Sequence, residues 1–317
     1  MLPDCITYGR TLLIFLVPFC LQNAFQSFLI VAEKPTMGLI VSIISGISNI
    51  FLDFLFIYVF KIGVLGAALA TGISQVVGII VPLIYFISGK NHVLKLTKTK
   101  FELKPIIQAC TNGSSEMVTN LSMSLVNILF NAQLMKFAGA NGVSAYGIIM
   151  YVGFIFTGTY MGYSVGISPI IGYHYGAGNK EELKSLLNKS IKLLGIIAIV
   201  MTFLAEILAK PLASIFVGYD KELLELTINA IRLYSISYII SWFNIFASSF
   251  FTALNNGFIS ALISFLRTLL FQVVMIFVLP AIFKINGIWL SVVVAEVLAL
   301  IVSIICIVKN RKKYEYA

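Results

Sequence analysis

Long apolar runs recur along this chain and constrain its fold more than any other feature. A helix rises 1.5 Å per residue, so about 20 mostly apolar residues cross the roughly 30 Å hydrocarbon core of a membrane. The residues between the runs include Gly, Pro and Asn, which favour turns. The pattern predicts nine membrane-spanning helices, over roughly residues 11–32, 37–60, 64–88, 115–138, 143–172, 190–216, 226–254, 257–282 and 286–308.

The composition excludes the main classes of soluble protein. Of the 317 residues, 59% are hydrophobic and 11% are charged, whereas soluble domains have about 45–50% and about 25%. The runs also lack the strict alternation of β-barrel strands. We therefore predict an all-α polytopic membrane protein. The sequence has no paired catalytic acids, nucleophile motif or nucleotide motif, and no metal-ligand spacing, so we expect neither an enzyme nor a metal site.

The basic residues are distributed unevenly between the two predicted sides of the membrane. If consecutive runs cross in alternate directions, fourteen Lys and Arg fall on one side and seven on the other, with Arg267 inside a run. Cytoplasmic loops carry the excess of positive charge, so the polar stretch 89–110 and the C-terminus are predicted to be cytoplasmic. The net charge of +9 is then a signal of membrane topology. It does not indicate a nucleic-acid partner.

A short internal repeat predicts the domain organisation. Phe60-Lys61-Ile62 recurs near the end of the chain as Phe283-Lys284-Ile285, and this offset places the second and third spans onto the eighth and ninth. An even number of spans separates the equivalents, so the halves run parallel, as in some transporters. We therefore expect one complete six-helix lobe and the last three helices of another, with three helices missing before Met1. The predicted domains are a partial N-terminal lobe (1–88), a cytoplasmic linker (89–110), a C-terminal lobe (111–310) and a basic cytoplasmic tail (311–317).

Asp53 is the acidic residue that stands out within the first predicted spans. Asn49 lies four residues earlier on the same helix face, and Thr71 lies at about the same depth in the next span, about 10 Å from the outer surface. A carboxylate, an amide and a hydroxyl at one depth indicate a site for Na⁺, H⁺ or a cationic substrate. The alternative is that Asp53 satisfies other polar groups inside the bundle.

A second candidate polar site lies in the predicted C-terminal lobe. Arg267 and Glu296 each lie ten residues into their spans, which are entered from opposite sides, so both are about 15 Å deep. Charges at such depth cost at least about 2.5–3.5 kcal/mol each, so we predict an ion pair that clamps the two helices. The alternative is that Glu296 binds a substrate cation. Glu116 is a further candidate, at the cytoplasmic start of the fourth span, where a helix N-terminus favours a carboxylate.

Two weaker predictions concern the same lobe. Glu206 and Lys210 are four residues apart and are expected to pair on one helix near the outer interface. Four tyrosines are candidates for lining an aromatic path for cations, namely Tyr146, Tyr151, Tyr160 and Tyr163.

Several motifs carry a resemblance to one transporter family. Asn49-x-x-x-Asp53, followed by Gly-x-x-Gly-Ala-Ala-x-Ala-Thr from Gly63 to Thr71, is similar to the fifth and sixth helices of MATE multidrug and toxin extrusion transporters. Later connections resemble those of bacterial members, namely Asn141-Gly142-Val143 with Ala145-Tyr146-Gly147, the segment from Tyr173 to Asn179, and Asn286-Gly287-Ile288-Trp289.

The resemblance implies a fold and a function. Members have twelve helices in two lobes and export organic cations in exchange for Na⁺ or H⁺, with no other cofactor. In many members, residues that match Asn49, Asp53 and Thr71 form the cation or proton site together with an Asp of the first helix. That Asp has no counterpart here, because the resemblance starts at the family's fourth helix.

The sequence therefore predicts a multi-pass protein of a bacterial plasma membrane that exports drugs by antiport, as a form lacking the first three helices. Its expected partners are the lipid bilayer, small cationic or amphipathic substrates, and a fragment that supplies those helices. One alternative is a non-transporting remnant or half-transporter fragment. Another is a flippase for lipid-linked oligosaccharides, which needs a wider and more cationic cavity than Arg267 alone provides.

Overall fold

The computed structural model describes residues 2–88, 94, 97–98 and 102–316, and these residues form helices and no strand. The chain divides into two compact units, unit 1 up to residue 101 and unit 2 from residue 102 onward. The predicted linker 89–110 lies partly outside the described residues. The all-helical part of the fold prediction is confirmed.

Unit 1 is built around its last helix. Its helices are α1 (Leu2–Ile14), α2 (Leu16–Val31), α3 (Pro35–Asp53), which continues as a π-helical segment (Phe54–Val59), and α4 (Val64–Ser88). Helix α4 contacts the other three, because its buried face is rich in Gly and Ala, which let helices approach closely. At Gly72, for example, a Cβ atom would lie 2.1 Å from the ring of Phe15.

Unit 2 contains the longer helices. They are α5 (Leu103–Asn112), α6 (Ser114–Gly176), α7 (Lys180–Val217), α8 (Lys221–Ser235), α9 (Tyr238–Ala253), α10 (Gly257–Phe265) with a following π-helical segment (Leu266–Leu270), and α11 (Phe271–Tyr314). Helix α9 packs against α6, α7, α10 and α11. Its buried aromatic residues Phe246, Phe250 and Phe251 belong to the main apolar core of the unit.

Several helices are long and apolar enough to cross a membrane. Five described helices meet this criterion, and two bent pairs meet it together, α1 with α2 at 51° and α8 with α9 at 46°. Helix α6 has 63 residues, about three times the length of one crossing, and its backbone is non-helical at Gly139. Helix α11 has a similar break at Lys284. Both breaks fall between predicted spans, which fits a polytopic membrane protein, and the count of nine spans stays a prediction.

The internal repeat extends to the backbone of the two units. Helices α2 and α9 each have 16 residues. The offset between their first residues, Leu16 and Tyr238, equals the offset between Pro35 and Gly257, the first residues of α3 and α10, which follow them. The turn after each contains a non-glycine residue with positive φ, Glu33 at 60° and Asn255 at 57°. Lys61 and Lys284, the central residues of the repeated Phe-Lys-Ile motif, also share a positive φ, at 54° and 52°. The repeat seen in three residues of sequence is therefore a repeat of backbone geometry.

The last residues of the chain pack against the helix ends of unit 2. Tyr316 is fully buried, and its hydroxyl donates to the carbonyl of Ile307 at 2.8 Å. The hydroxyl of Tyr314 accepts a hydrogen bond from Asn256 at 2.7 Å, and Glu315 forms an ion pair with Lys180 at the start of α7. This C-terminal clasp, residues 314–316, therefore joins the end of α11 to the start of α7 and to the turn between α9 and α10.

Candidate functional site

A buried ion pair lies at the centre of unit 2. Arg267, in the π-helical segment, donates from Nε to both carboxylate oxygens of Glu296, at 2.9 and 3.0 Å, and its Nη2 atom lies 2.9 Å from Oε1 in the same ion pair. The two side chains are 17% and 5% exposed. Two charges so far from water are tolerated because each neutralises the other and because the contact has several hydrogen bonds. The ion pair expected from the depth of these two residues is thus present.

Asn244 of α9 connects this pair to the rest of the unit. Its side-chain nitrogen donates to the backbone carbonyl of Glu296 at 3.0 Å and to Oε2 of the same residue at 2.7 Å. Its side-chain oxygen accepts a hydrogen bond from Ser303 at 2.9 Å. Asn244 and Ser303 are both fully buried. The polar cluster therefore links α9, the π-helical segment and α11. Both N–H groups and the oxygen of the Asn244 side-chain amide have a hydrogen-bond partner in it.

A partly open cavity of ≈ 170 Å³ borders this cluster. Arg267 and Glu296 line it, together with polar residues from α6, α9 and α11. Its apolar wall consists of aromatic and Met side chains, which suit flat and variable ligands. These are Phe130, Tyr146, Phe154, Tyr234, Tyr238, Met123, Met150 and Met161. We call this space the unit-2 cavity.

Two polar atoms at the unit-2 cavity have no partner within the described part of the chain. They are the hydroxyl of Tyr238 and the side-chain oxygen of Gln272, whose residues are 5% and 8% exposed. A buried polar group without a partner costs about 1–3 kcal/mol. Both residues line the cavity, which places unused hydrogen-bonding capacity in its wall.

Unit 1 contains a related cluster without charges. Gln22 donates to the hydroxyl of Ser45 at 3.3 Å, and Ser45 donates to the carbonyl of Ser74 at 2.8 Å. The offset that relates α2 to α9 also relates these residues to the unit-2 cluster, since Gln22 matches Asn244, Ser45 matches Arg267 and Ser74 matches Glu296. Each unit thus contains the same contact between its own helices, formed by different side chains.

The structure does not join the three candidate residues of unit 1 by hydrogen bonds. The hydroxyl of Thr71 donates to the carbonyl of Ala67 at 3.0 Å, one turn earlier in α4. The side-chain nitrogen of Asn49 is buried without a partner among the described residues. Asp53 is partly buried, at the point where α3 passes into its π-helical segment. Such segments are frequent at functional sites, because they change the direction in which side chains point.

The remaining acidic candidates of unit 2 have local partners. Glu116 accepts a hydrogen bond from Ser115 at 2.6 Å in the first turn of α6 and does not line the unit-2 cavity. The prediction that Glu206 pairs with Lys210 is wrong. Glu206 accepts from the hydroxyl of Ser235 at 2.6 Å and lies 3.9 Å from Nε of Arg232, because α8 packs against α7 there.

Of the four predicted pathway tyrosines, Tyr146 lines the unit-2 cavity. The other three do not: Tyr151 stacks on Phe216, Tyr160 donates to the carbonyl of Tyr238, and Tyr163 donates to Ser190. Among the residues that the structure describes, no group of three or more His, Cys, Asp or Glu is arranged to hold a metal ion.

The sequence matches the model of one protein family over half of its length. The model is that of MatE, and it aligns with residues 116–278, which include α6 to α10, Asn244 and Arg267. The chain belongs to the MatE family. Membership confirms the family that the sequence motifs resemble, and it agrees with the five helices of this MatE protein that are long and apolar enough to cross a membrane.

Curated relatives of this MatE protein include multidrug exporters of staphylococci. The multidrug export protein MepA of Staphylococcus aureus is 22% identical over 276 residues, which are 86% of this chain and 60% of MepA. MepA of Staphylococcus saprophyticus is also 22% identical, over 280 residues, with the same coverage. The chain thus spans about three fifths of the length of the curated relatives it matches.

Solved structures share the fold. The crystal structure of MATE in complex with MaL6 matches with a TM-score of 0.92 and 21% identity, over 98% of this chain and 71% of the other. The outward-facing conformation of a multidrug resistance MATE family transporter of the MOP superfamily matches with a TM-score of 0.91 and 22% identity, over 98% and 70%.

Sequence reasoning missed several members of the unit-2 site. Asn244, Ser303 and Tyr238 were not predicted, although a buried polar residue in an apolar run is itself a signal that it bonds to another helix. Asn244 lies 52 residues before Glu296 in the sequence. No periodicity relates such distant residues, so the signal shows that a partner exists without identifying it.

Proposed function

We propose that this MatE protein takes part in the export of small amphipathic molecules, organic cations among them, in exchange for Na⁺ or H⁺. The observation that carries the proposal is the unit-2 cavity, in which aromatic and Met side chains face a buried polar cluster in an apolar helical bundle. Cavities of this kind bind varied aromatic molecules, because the apolar wall contributes affinity and a few polar groups contribute orientation. The names of the staphylococcal relatives agree with it.

Asn49, Asp53 and Thr71 are the proposed coupling site. A carboxylate, an amide oxygen and a hydroxyl are the oxygen ligands that a hard cation such as Na⁺ prefers, and the carboxylate alone suffices for H⁺. One feature of unit 1 supports the assignment. Asp53 adjoins a π-helical segment, and such segments are frequent at functional sites.

The proposed setting is a bacterial plasma membrane, with the basic stretch 89–110 and the C-terminus in the cytoplasm. The uneven distribution of Lys and Arg supports this orientation. Transport further requires that the cavity open to alternate sides of the membrane, as in parallel-repeat transporters.

Ethidium efflux tests the proposal. The chain is expressed in bacteria that lack their own exporters, both as it stands and as a fusion behind the first three helices of a twelve-helix family member. We expect efflux from the fusion, driven by an imposed Na⁺ or pH gradient in membrane vesicles. Asp53→Asn retains the size of the side chain and removes its charge, and it is expected to slow gradient-driven efflux at least about tenfold.

The controls separate function from expression. Glu222→Gln changes an acid in the exposed first turn of α8, which lines neither site, and is expected to retain efflux. Membrane levels of each variant are compared by immunoblot. The proposal fails when neither form gives efflux at normal membrane levels, and the coupling site fails when Asp53→Asn responds to both gradients like the wild type.

A further inference from the structure

We propose that the unit-2 cavity binds the carboxylate group of aromatic molecules, with Arg267 as the binding residue. The inference rests on the proposed export function and names a substrate class for it. Four features of the structure lead to it: the saturation of Glu296, the free edge of Arg267, the hydroxyl of Tyr238 and the uncharged counterpart of the ion pair in unit 1.

The carboxylate of Glu296 has little capacity left for a ligand. Its Oε1 atom accepts from Nε of Arg267 and lies 2.9 Å from Nη2, and its Oε2 atom accepts from Nε of Arg267 and from Asn244. The side chain is 5% exposed. It is the one acid among the described residues that line the cavity, so a ligand cation finds no open carboxylate there.

The guanidinium of Arg267 retains free donors. Arginine carries five N–H groups, and the hydrogen bonds to Glu296 use the Nε–H group, while Nη2 lies 2.9 Å from Oε1. No other acceptor for this side chain is found in the described part of the chain. The side chain is 17% exposed and lines the cavity, and a second carboxylate matches its planar edge.

Tyr238 adds a second donor in the wall of the same cavity. Its hydroxyl is buried without a partner in the described structure, and the residue lines the cavity. A ligand carboxylate that contacts Arg267 gives this hydroxyl an acceptor and removes the cost of leaving it unpaired. The surrounding aromatic residues provide a wall for the ring of the ligand.

The matching helix contact of unit 1 forms without charges. At the matching positions, unit 1 makes the same helix contact with Ser45 and Ser74, which bond at 2.8 Å. A buried ion pair is often no more stable than an uncharged replacement, because both ions lose their hydration. Arg267 also lies in a π-helical segment, whereas Ser45 lies in a regular α-helix. Arg267 and Glu296 therefore have a role other than holding the helices together.

Binding of three dansyl probes to the purified protein in lipid nanodiscs tests the inference. Dansylglycine carries a carboxylate, dansylcadaverine carries an ammonium group and dansylamide is uncharged, while the fluorophore is the same. Excitation of the two tryptophans and detection of dansyl emission report binding. We expect dansylglycine to bind on the order of tenfold more tightly than dansylcadaverine, as one hydrogen bond to a charged group provides.

Variants identify the residue responsible. Arg267→Met/Glu296→Gln removes both charges at similar volume and is expected to weaken dansylglycine about tenfold, while dansylamide binding remains. Arg232→Gln is the matched control, since this arginine is more than half exposed and lies outside the cavity. Tyr238→Phe retains the ring and is expected to weaken dansylglycine alone by about threefold, which decides the matter if the double variant does not fold.

The inference is overturned if dansylcadaverine binds more tightly to the wild type, or if the double variant retains full affinity for dansylglycine. Export is measured separately by ethidium efflux. A protein that binds dansylglycine through Arg267 but exports nothing disproves the proposed function and leaves the carboxylate site intact, whereas efflux without dansylglycine binding disproves the carboxylate site alone.

Discussion

Arg267 donates to both carboxylate oxygens of Glu296 from a position 29 residues earlier in the chain. In unit 1, Ser45 donates to the carbonyl of Ser74, also 29 residues later. The offset along the chain from Ser45 to Arg267 equals the offset from Ser74 to Glu296. One helix crossing thus occurs in a charged and an uncharged form within a single chain, which allows the contribution of the charges to be measured against an internal reference.

The first prediction concerns the stability of this ion pair. Glu296→Gln or Arg267→Met alone leaves one buried charge without a partner and is expected to lower the unfolding free energy by about 3–5 kcal/mol. The double variant Arg267→Met/Glu296→Gln is expected to recover most of this loss. Thermal unfolding of each protein in nanodiscs provides the double-mutant cycle. Additive losses would contradict the prediction. Ser45→Ala, which removes the neutral hydrogen bonds with Gln22 and Ser74, is expected to cost about 1–3 kcal/mol.

A second prediction concerns a glycine after the break in α11. A Cβ atom at Gly287 would lie 2.3 Å from the carbonyl oxygen of Leu279 and 2.7 Å from the nitrogen of Pro280. Both are backbone atoms, so Gly287→Ala has to displace one part of the chain from another. We expect a loss of about 1–3 kcal/mol, as for an overpacked core. Gly147→Ala is the control, because nothing lies within 4 Å of its Cβ position, and its melting temperature should equal or exceed that of the wild type.

A third prediction concerns the C-terminal clasp. Tyr316 is fully buried and stacks edge-on against Phe250 at 5.2 Å. Tyr316→Ala is expected to cost about 3–5 kcal/mol, because it leaves a cavity. Tyr316→Phe removes only the hydrogen bond to Ile307 and is expected to cost about 1 kcal/mol. Limited proteolysis of the C-terminus should follow the same order, and equal cleavage of all three proteins would show that the clasp is not formed.

The clasp also makes stability depend on pH. Burial raises the pKa of Tyr316 above its usual value, which is about 10 in an unfolded chain. The unfolded state therefore loses this proton first as the pH rises, so the stabilisation is complete below about pH 10 and is lost progressively above it. We expect the advantage of the wild type over Tyr316→Phe in melting temperature to shrink above about pH 10. A difference that stays constant to about pH 11 would contradict the shift.

A fifth prediction tests the hydroxyl of Thr71 in the proposed coupling site. This hydroxyl donates to Ala67, so its lone pairs remain free to bind a cation. Thr71→Val retains the shape of the side chain and removes the oxygen, and it is expected to reduce Na⁺-driven ethidium efflux several-fold. Thr71→Ser retains the hydroxyl and is expected to retain the efflux. If the gradient is one of protons, both variants should transport alike, so the comparison also distinguishes the two coupling ions.

Helix formation and membrane insertion depend on local properties, and the sequence was informative about both. The apolar runs are long enough to predict spanning helices, and the turns at Gly139 and Lys284 fall where the runs end. The bend between α8 and α9 was not predicted, because the run 226–254 is mostly apolar and no proline marks the change of direction. The pairing of Arg267 with Glu296 was predictable, because a charge inside the membrane needs a partner at the same depth.

What the sequence alone determined about this protein is its helical, membrane-spanning character, its internal repeat and its membership of a transporter family, since each follows from residues that are neighbours in the chain or match at a fixed offset. The tertiary structure decided which residues share a site. Asn244, Ser303 and Tyr238 joined the polar cluster and the cavity, and Glu206 took Arg232 as its partner in place of Lys210. The physical reason is that such contacts depend on how separate helices cross, and a crossing is set by the packing of side chains that are distant in the sequence.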